Sequence, residues 1–223
     1  SLQMWTDYPE MLNVAHPYSI TKGTNFIDFN LTNSGGSPIE DAWITIYKEG
    51  SILESGYSDS NGHVRLIIPI IEEGEVLVTV TKKNHYPYQS SFQIYNPGAS
   101  VNVFSQEISF IENGLGNSEG NGDSQINSGE VVDLIIPLSN YGNANATQIT
   151  GTLTSENDNV TIINDTYYYG DIGLDGVVSN ESNPFTFNVS NSVTDQSIIK
   201  LMLTLVNDSG YVSTGYLELE VAG

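Results

Sequence analysis

The sequence predicts an all-β chain folded as two tandem β-sandwiches. Three observations carry that expectation. Apolar residues alternate with polar ones at period two through most apolar runs, and no 3.6-residue pattern is sustained. Turn-forming clusters interrupt the runs about every 8–12 residues, the rhythm of a sandwich built from short strands.

Taken in order, strands are expected near 11–15, 25–33, 41–48, 51–57, 63–68, 75–82 and 90–95. A second series is expected near 101–111, 130–140, 146–155, 159–163, 166–172, 184–190, 197–206 and 211–221. Ile27, Phe29 and Leu31 alternate with Asp28 and Asn30, and Val76, Val78 and Val80 sit opposite Leu77 and Thr79. Phe185, Phe187 and Val189 flank Thr186 and Asn188, while Leu217, Leu219 and Val221 flank Glu218 and Glu220. Each such segment turns one face to a core and one to water. Ser34-Gly35-Gly36-Ser37-Pro38, Tyr141-Gly142-Asn143 and Asn207-Asp208-Ser209-Gly210 supply turns between them. Asp59-Ser60-Asn61-Gly62 carries the strongest hairpin signal, Asn-Gly, with Asp59 expected to cap the turn. A boundary is placed at Asn96-Pro97-Gly98-Ala99, giving domains 1-98 and 99-223. Each then holds about seven strands in about 100–120 residues, the size of one immunoglobulin-like sandwich.

Composition narrows the function. The 223 residues are 39% hydrophobic and only 15% charged, so Ser, Thr, Asn and Gln must cover the surface. Against 27 acids stand 6 bases, a net charge of −21 that repels phosphate backbones and anionic lipid. No nucleic acid and no membrane insertion are therefore expected as partners. With no cysteine the chain has no thiol nucleophile, disulfide or thiolate zinc site. The longest apolar run, Leu66-Ile67-Ile68-Pro69-Ile70-Ile71, is far short of the roughly 18 residues that span a bilayer. The chain opens on Ser1-Leu2-Gln3 without a signal peptide, and reads as a piece of a longer protein. Charge is split unevenly. Residues 1–98 hold 11 acids and 5 bases, whereas residues 99–223 hold 16 acids and only Lys200, so the second domain is the expected cation binder.

The most informative segment is Glu119-Gly120-Asn121-Gly122-Asp123-Ser124-Gln125-Ile126-Asn127-Ser128-Gly129-Glu130. As a twelve-residue calcium loop it places Glu119, Asn121 and Asp123 at positions 1, 3 and 5. The backbone carbonyl of Gln125 falls at 7, Asn127 at 9, and Glu130 at 12, where a bidentate carboxylate belongs. A hard cation suits this pattern because alternate oxygens turn inward while glycines let the backbone curl. Two departures stand out: Glu at position 1, and Ser124 where a glycine usually makes the sharp turn. No helices flank it. A structural calcium is expected here, the alternative being a solvated turn between two strands.

The remaining chemistry is sparse. His16, His63 and His85 lack zinc spacing, and His16-Pro17-Tyr18 and His85-Tyr86-Pro87-Tyr88 read as loops packing their own ends. Tyr167-Tyr168-Tyr169 reads as a strand with alternate faces. No Gly-x-Ser-x-Gly elbow or Ser-x-x-Lys pair is present, and the acid pairs Asp7/Glu10 and Glu72/Glu73 lie in polar surroundings. Sequons at Asn30, Asn145, Asn159, Asn164, Asn180, Asn188 and Asn207 follow from an Asn/Ser-rich composition. No catalytic constellation can be drawn, so the chain is not expected to be an enzyme.

Several segments together resemble a known family. Ser1-Leu2-Gln3-Met4-Trp5-Thr6-Asp7-Tyr8-Pro9 resembles the stretch just after the catalytic domain of gingipain-type secreted cysteine peptidases. Leu12-Asn13-Val14, Asp41-Ala42-Trp43-Ile44-Thr45-Ile46-Tyr47, Ser58-Asp59-Ser60-Asn61-Gly62-His63-Val64 and Val78-Thr79-Val80-Thr81-Lys82-Lys83-Asn84-His85-Tyr86-Pro87-Tyr88 resemble that family's immunoglobulin-like domain. The resemblance covers about residues 1–96. The second half, with its Gly-Asn-Gly-Asp…Gly-Glu loop, Leu138-Ser139-Asn140-Tyr141-Gly142 and Asn183-Pro184-Phe185-Thr186-Phe187, is similar to extracellular sandwich repeats that often follow. The resemblance implies an accessory region exported by a bacterium, acting beside an upstream catalytic domain of the same chain, with cell-surface or protein partners possible. No residue here inherits the family's catalytic role. The competing expectation is a cell-surface adhesin or carbohydrate-binding module that uses aromatics such as Trp43, Tyr86 and Tyr88.

Overall fold

The computed structural model describes residues 7–96 and 98–222 and is all-β apart from one short 3-10 turn. Ser1–Thr6 of the family-like opening, and Pro97 of the expected boundary, lie outside the described residues. The chain divides between Asn96 and Pro97 into two compact units.

In the first unit β1 (Asn13–Ala15), β3 (Phe26–Thr32) and β6 (His63–Ile67) form one sheet in the order β1-β3-β6. The other contains β2 (Ser19–Thr21), β4 (Trp43–Lys48), β5 (Ser51–Tyr57), β7 (Gly74–Thr81) and β8 (Tyr88–Tyr95), ordered β2-β8-β7-β4-β5. This is the immunoglobulin topology: the first strand splits between the sheets as β1 and β2, and the last, β8, lies between β2 and the second-last strand, β7. Alternation builds the core. Ile27, Phe29 and Leu31 from one sheet meet Ile44, Ile46, Val76, Val78, Val80 and Phe92 from the other, all buried. Each such side chain contributes about 1.5–3 kcal/mol by leaving water. Outside the core, Arg65 clasps Asp28 across β6 and β3 in a two-pronged pair at 2.8 and 3.0 Å. The Asp59 turn forms as expected: its Oδ1 accepts the amides of Asn61 and His63 at 2.9 Å. The His63 amide, first among the causes, holds the Asp59 carboxyl below its ordinary value. Gly62 must be glycine, because its φ is +74° and a Cβ would stand 2.3 Å from the Leu31 carbonyl.

The second unit repeats the scheme with additions. One sheet runs β10 (Ser109–Ile111), β12 (Val131–Ile135), β18 (Phe185–Val189), β15 (Val160–Asn164). The facing sheet runs β11 (Ile126–Asn127), β20 (Val212–Ala222), β19 (Ile198–Val206), β14 (Ala146–Ser155), β16 (Thr166–Ile172). A small third sheet joins β9 (Val101–Val103), β13 (Leu138–Asn140) and β17 (Val177–Val178). Phe185, Phe187, Leu134, Ile136, Ile149 and Leu203 centre a dry core.

Two expected strands are broken. The segment 101–111 becomes β9, a 3-10 turn at Ser105–Glu107 and β10. The segment 130–140 becomes β12 and β13, parted at Ile136-Pro137. Pro137 has no N–H for a ladder. The Ile136 amide turns instead to the Oδ1 of Asn180 at 2.7 Å, and Asn180 Nδ2 donates to the Leu134 carbonyl at 3.0 Å. This fully buried carboxamide completes the ladder where the backbone cannot.

Candidate functional site

The 119–130 segment folds against β12 through its backbone: Glu119 and Val131 exchange N–H···O bonds of 2.8 Å. Its order comes from two buried carboxylates, Glu112 and Glu130. Glu112 accepts the amides of Gly122 (2.6 Å) and Ser124 (2.7 Å). Glu130 accepts those of Asn121 (3.0 Å) and Asn127 (2.9 Å). Four amides of one loop thus converge on two anions, each bond charge-assisted. Asn121 and Asp123 add side-chain turns, their Oδ1 atoms accepting the amides of Asp123 (2.8 Å) and Gln125 (2.9 Å). Asn121 Nδ2 reaches Asp123 Oδ2 at 3.1 Å and Asn127 Oδ1 at 3.3 Å. Ser124, where a glycine usually stands, takes the left-handed conformation at φ 65°.

Of the six residues expected to surround calcium, Asn121 touches both Asp123 and Asn127, and Glu130 points into the loop. Glu119 enters through its backbone and has an exposed side chain, and Gln125 contributes its amide to Asp123. Among the described residues no three carboxylate or imidazole side chains are grouped to hold a metal ion. Both oxygens of Glu130 already serve amides, so the protein's own carboxylates order the loop.

Two acids in this region went unmarked in the sequence. Glu112 is one. Asp133, also buried, accepts the Thr186 hydroxyl at 2.6 Å and the Asn117 amide at 2.8 Å. The signal was present: Asp133 interrupts Val131-Val132-Asp133-Leu134-Ile135, and a lone acid inside an apolar strand needs partners.

The histidines lie apart. His16 packs on Phe29 with ring centroids 5.4 Å apart, His63 stands 3.3 Å from Asp28, and His85 Nδ1 donates to the Lys83 carbonyl at 2.9 Å. Tyr169 is buried and donates to the Ile136 carbonyl at 2.9 Å, whereas Tyr168 is exposed.

How the chain threads each unit is the other notable geometry. In the first, the Glu10 amide donates to Asn84 and the Tyr86 amide to Glu10, both at 2.9 Å. The chain then runs parallel to β8, β2 pairing Ser19 with Gln93 and Thr21 with Tyr95. It comes in beside His85 and goes out after Tyr95. In the second unit Val101 is tied to Tyr211, Asn102 Nδ2 donates to Thr214 at 3.1 Å, and β20 carries the chain away to Ala222. Each unit therefore takes the chain in at one end and releases it about ten strand residues, roughly 33 Å, further on.

No protein-family model matches the chain, and no curated protein matches it. Solved structures offer distant likenesses. One is the arginine-specific cysteine proteinase gingipain R (RgpB), known also as a complex of pro- and mature domains from Porphyromonas gingivalis. It is 15% identical with a TM-score of 0.32, over 39% of this chain. The D0-D1 domain of intimin is 13% identical, TM-score 0.30, over 98% of both chains. The BSP domain of a biofilm-associated protein is 13% identical, TM-score 0.34, over 96% of this chain and 30% of that one. The match spans 19% of the gingipain chain. No described helix is long and apolar enough to cross a membrane, which says nothing about β-barrels.

Proposed function

We propose that this chain is a non-catalytic accessory region: two sandwich modules that stabilise or position the upstream catalytic domain of a secreted gingipain-type cysteine peptidase. The observation that supports it is the threading. A module whose incoming and outgoing segments lie at opposite ends transmits the chain across itself, which suits a spacer. The resemblance of residues 1–96 supplies the parent enzyme, and export outside the cell follows from it. A structural calcium at Glu119–Glu130 belongs to the same reading and rests on the spacing of the oxygen-bearing residues.

The test is a gingipain-type catalytic domain fused upstream of this chain and compared with the same domain alone. Slower thermal inactivation of the fusion is expected, while equal half-lives would contradict a stabilising role. The adhesin reading is favoured by one specific observation, the exposed pair of rings that Trp43 of β4 and Tyr57 of β5 form with centroids 4.4 Å apart.

A further inference from the structure

The outward face of β5-β4-β7-β8 is unlike its counterpart in the second unit. On it Trp43 and Tyr57 pair across strands with ring centroids 4.4 Å apart, and both are exposed. Four residues along β4, or about 13 Å, Tyr47 lies between Ile52 and Leu77, again all exposed. Between these apolar rows runs a polar one, in which Thr45 faces Ser55 on one side and Thr79 on the other, with Gln89 beyond. None of these side chains is charged, in a chain of net charge −21; the acid Glu75 stands two residues before Leu77 on the same face and accepts the Ser91 hydroxyl at 2.8 Å. The corresponding face of the second unit carries the cross-strand pair Lys200 and Glu218 and threonines such as Thr204 and Thr214, with no tryptophan.

We infer that this face of the first unit is a binding platform for a neutral oligosaccharide. The order of the rows decides the class of partner. A protein-binding patch concentrates its aromatics at a desolvated centre and puts polar groups on the rim. Here the hydroxyls and the amide hold the centre and the aromatics flank them. A saccharide chain presents the complement: apolar C–H faces to lie on the rings, and hydroxyls to exchange hydrogen bonds with Thr45, Thr79 and Gln89. The polar row carries no charge, and Glu75 at the end of the face already holds the Ser91 hydroxyl, so no ion is left without a partner when a neutral sugar lands. The span of about 13 Å between rows calls for several linked sugars rather than one. The inference stands independently of the accessory reading.

The experiment probes the full chain against an array of neutral hexose and N-acetylhexosamine oligosaccharides, with tryptophan fluorescence for titration. Expected is binding to at least one neutral oligosaccharide, lost about tenfold or more in Trp43→Ala and in Tyr47→Ala. Thr45→Val should weaken it while leaving the melting curve in place, and Tyr168→Ala in the second unit should leave it unchanged. Three results would overturn the inference: no neutral glycan bound, binding indifferent to Trp43→Ala and Tyr47→Ala, or concentration-dependent self-association abolished by Tyr47→Ala. The last would assign the face to a second copy of the chain.

Discussion

Val101 and Tyr211 hold each other by two hydrogen bonds: the Val101 amide donates to the Tyr211 hydroxyl at 2.7 Å, and that hydroxyl donates to the Val101 carbonyl at 3.1 Å. One phenol thereby fixes the incoming chain beside the start of β20. Asn140 works next to it, its Oδ1 accepting the Ser100 and Gly142 amides and its Nδ2 serving the carbonyls of Ala144, Ile172 and Gly173. Tyr211→Phe keeps the ring and strips both bonds. The expected cost is about 1–3 kcal/mol, seen as the second unit melting several degrees lower. An unchanged melting curve would show the clamp to be idle.

The same region sets a response to alkali. Burial, first among the causes, raises the phenols of Tyr141, Tyr169 and Tyr211 above their ordinary value of 10.0. The sign follows: below about pH 10 both folded and unfolded chains hold these protons, and stability is full. Above it the unfolded chain ionises first, so stability falls as pH climbs toward the folded values. Denaturant melts between pH 9 and 12 should show the second unit weakening above about pH 10. Tyr211→Phe should make that slope shallower.

The loop of Glu112 and Glu130 separates two roles that the sequence joins. Glu130→Gln replaces one acceptor oxygen by a donor that faces an amide, at an expected cost of about 1–3 kcal/mol. Because the wild-type carboxylate serves amides directly, the loss should persist in chelator. Calcium at about 1 mM should add roughly 0.4–1.4 kcal/mol to the wild type, for the affinity typical of extracellular modules. Melting curves of wild type and variant, each in calcium and in chelator, check both. Superposed wild-type curves would remove calcium from the account, and a variant as stable as wild type in chelator would remove the carboxylate clamp.

The chain alone should cleave no peptide. It has no thiol, and activation of a serine needs a base within hydrogen-bonding reach. A broad fluorogenic peptide library incubated with the purified chain checks this; turnover abolished by one serine substitution would contradict it.

Most of the fold was legible because long strands advertise themselves. β14 and β16 begin and end where alternation places them, at 146–155 and 166–172. The three-residue β2 and the two-residue β11 and β17 were not legible, since alternation needs more residues than they have. Yet β2 and β11 are the parallel strands that pair with the last strand of each unit, β2 marking the path of the incoming chain. The loop at 119–130 was visible as a segment rich in oxygen donors. That Glu112 holds half of it was not, because the pairing spans ten to twelve residues and depends on how the loop folds back.

The central claim, that each module takes the chain in at one end and releases it at the other, is tested most directly by one distance. The sequence has no cysteine, so Glu10→Cys and Asn96→Cys give a unique spin-label pair in the full chain. Pulsed dipolar spectroscopy should find the labels about 30–35 Å apart, the length of strand between His85 and Asn96. A separation near 10–15 Å, about the thickness of one sandwich, would place both segments at the same end and contradict the account.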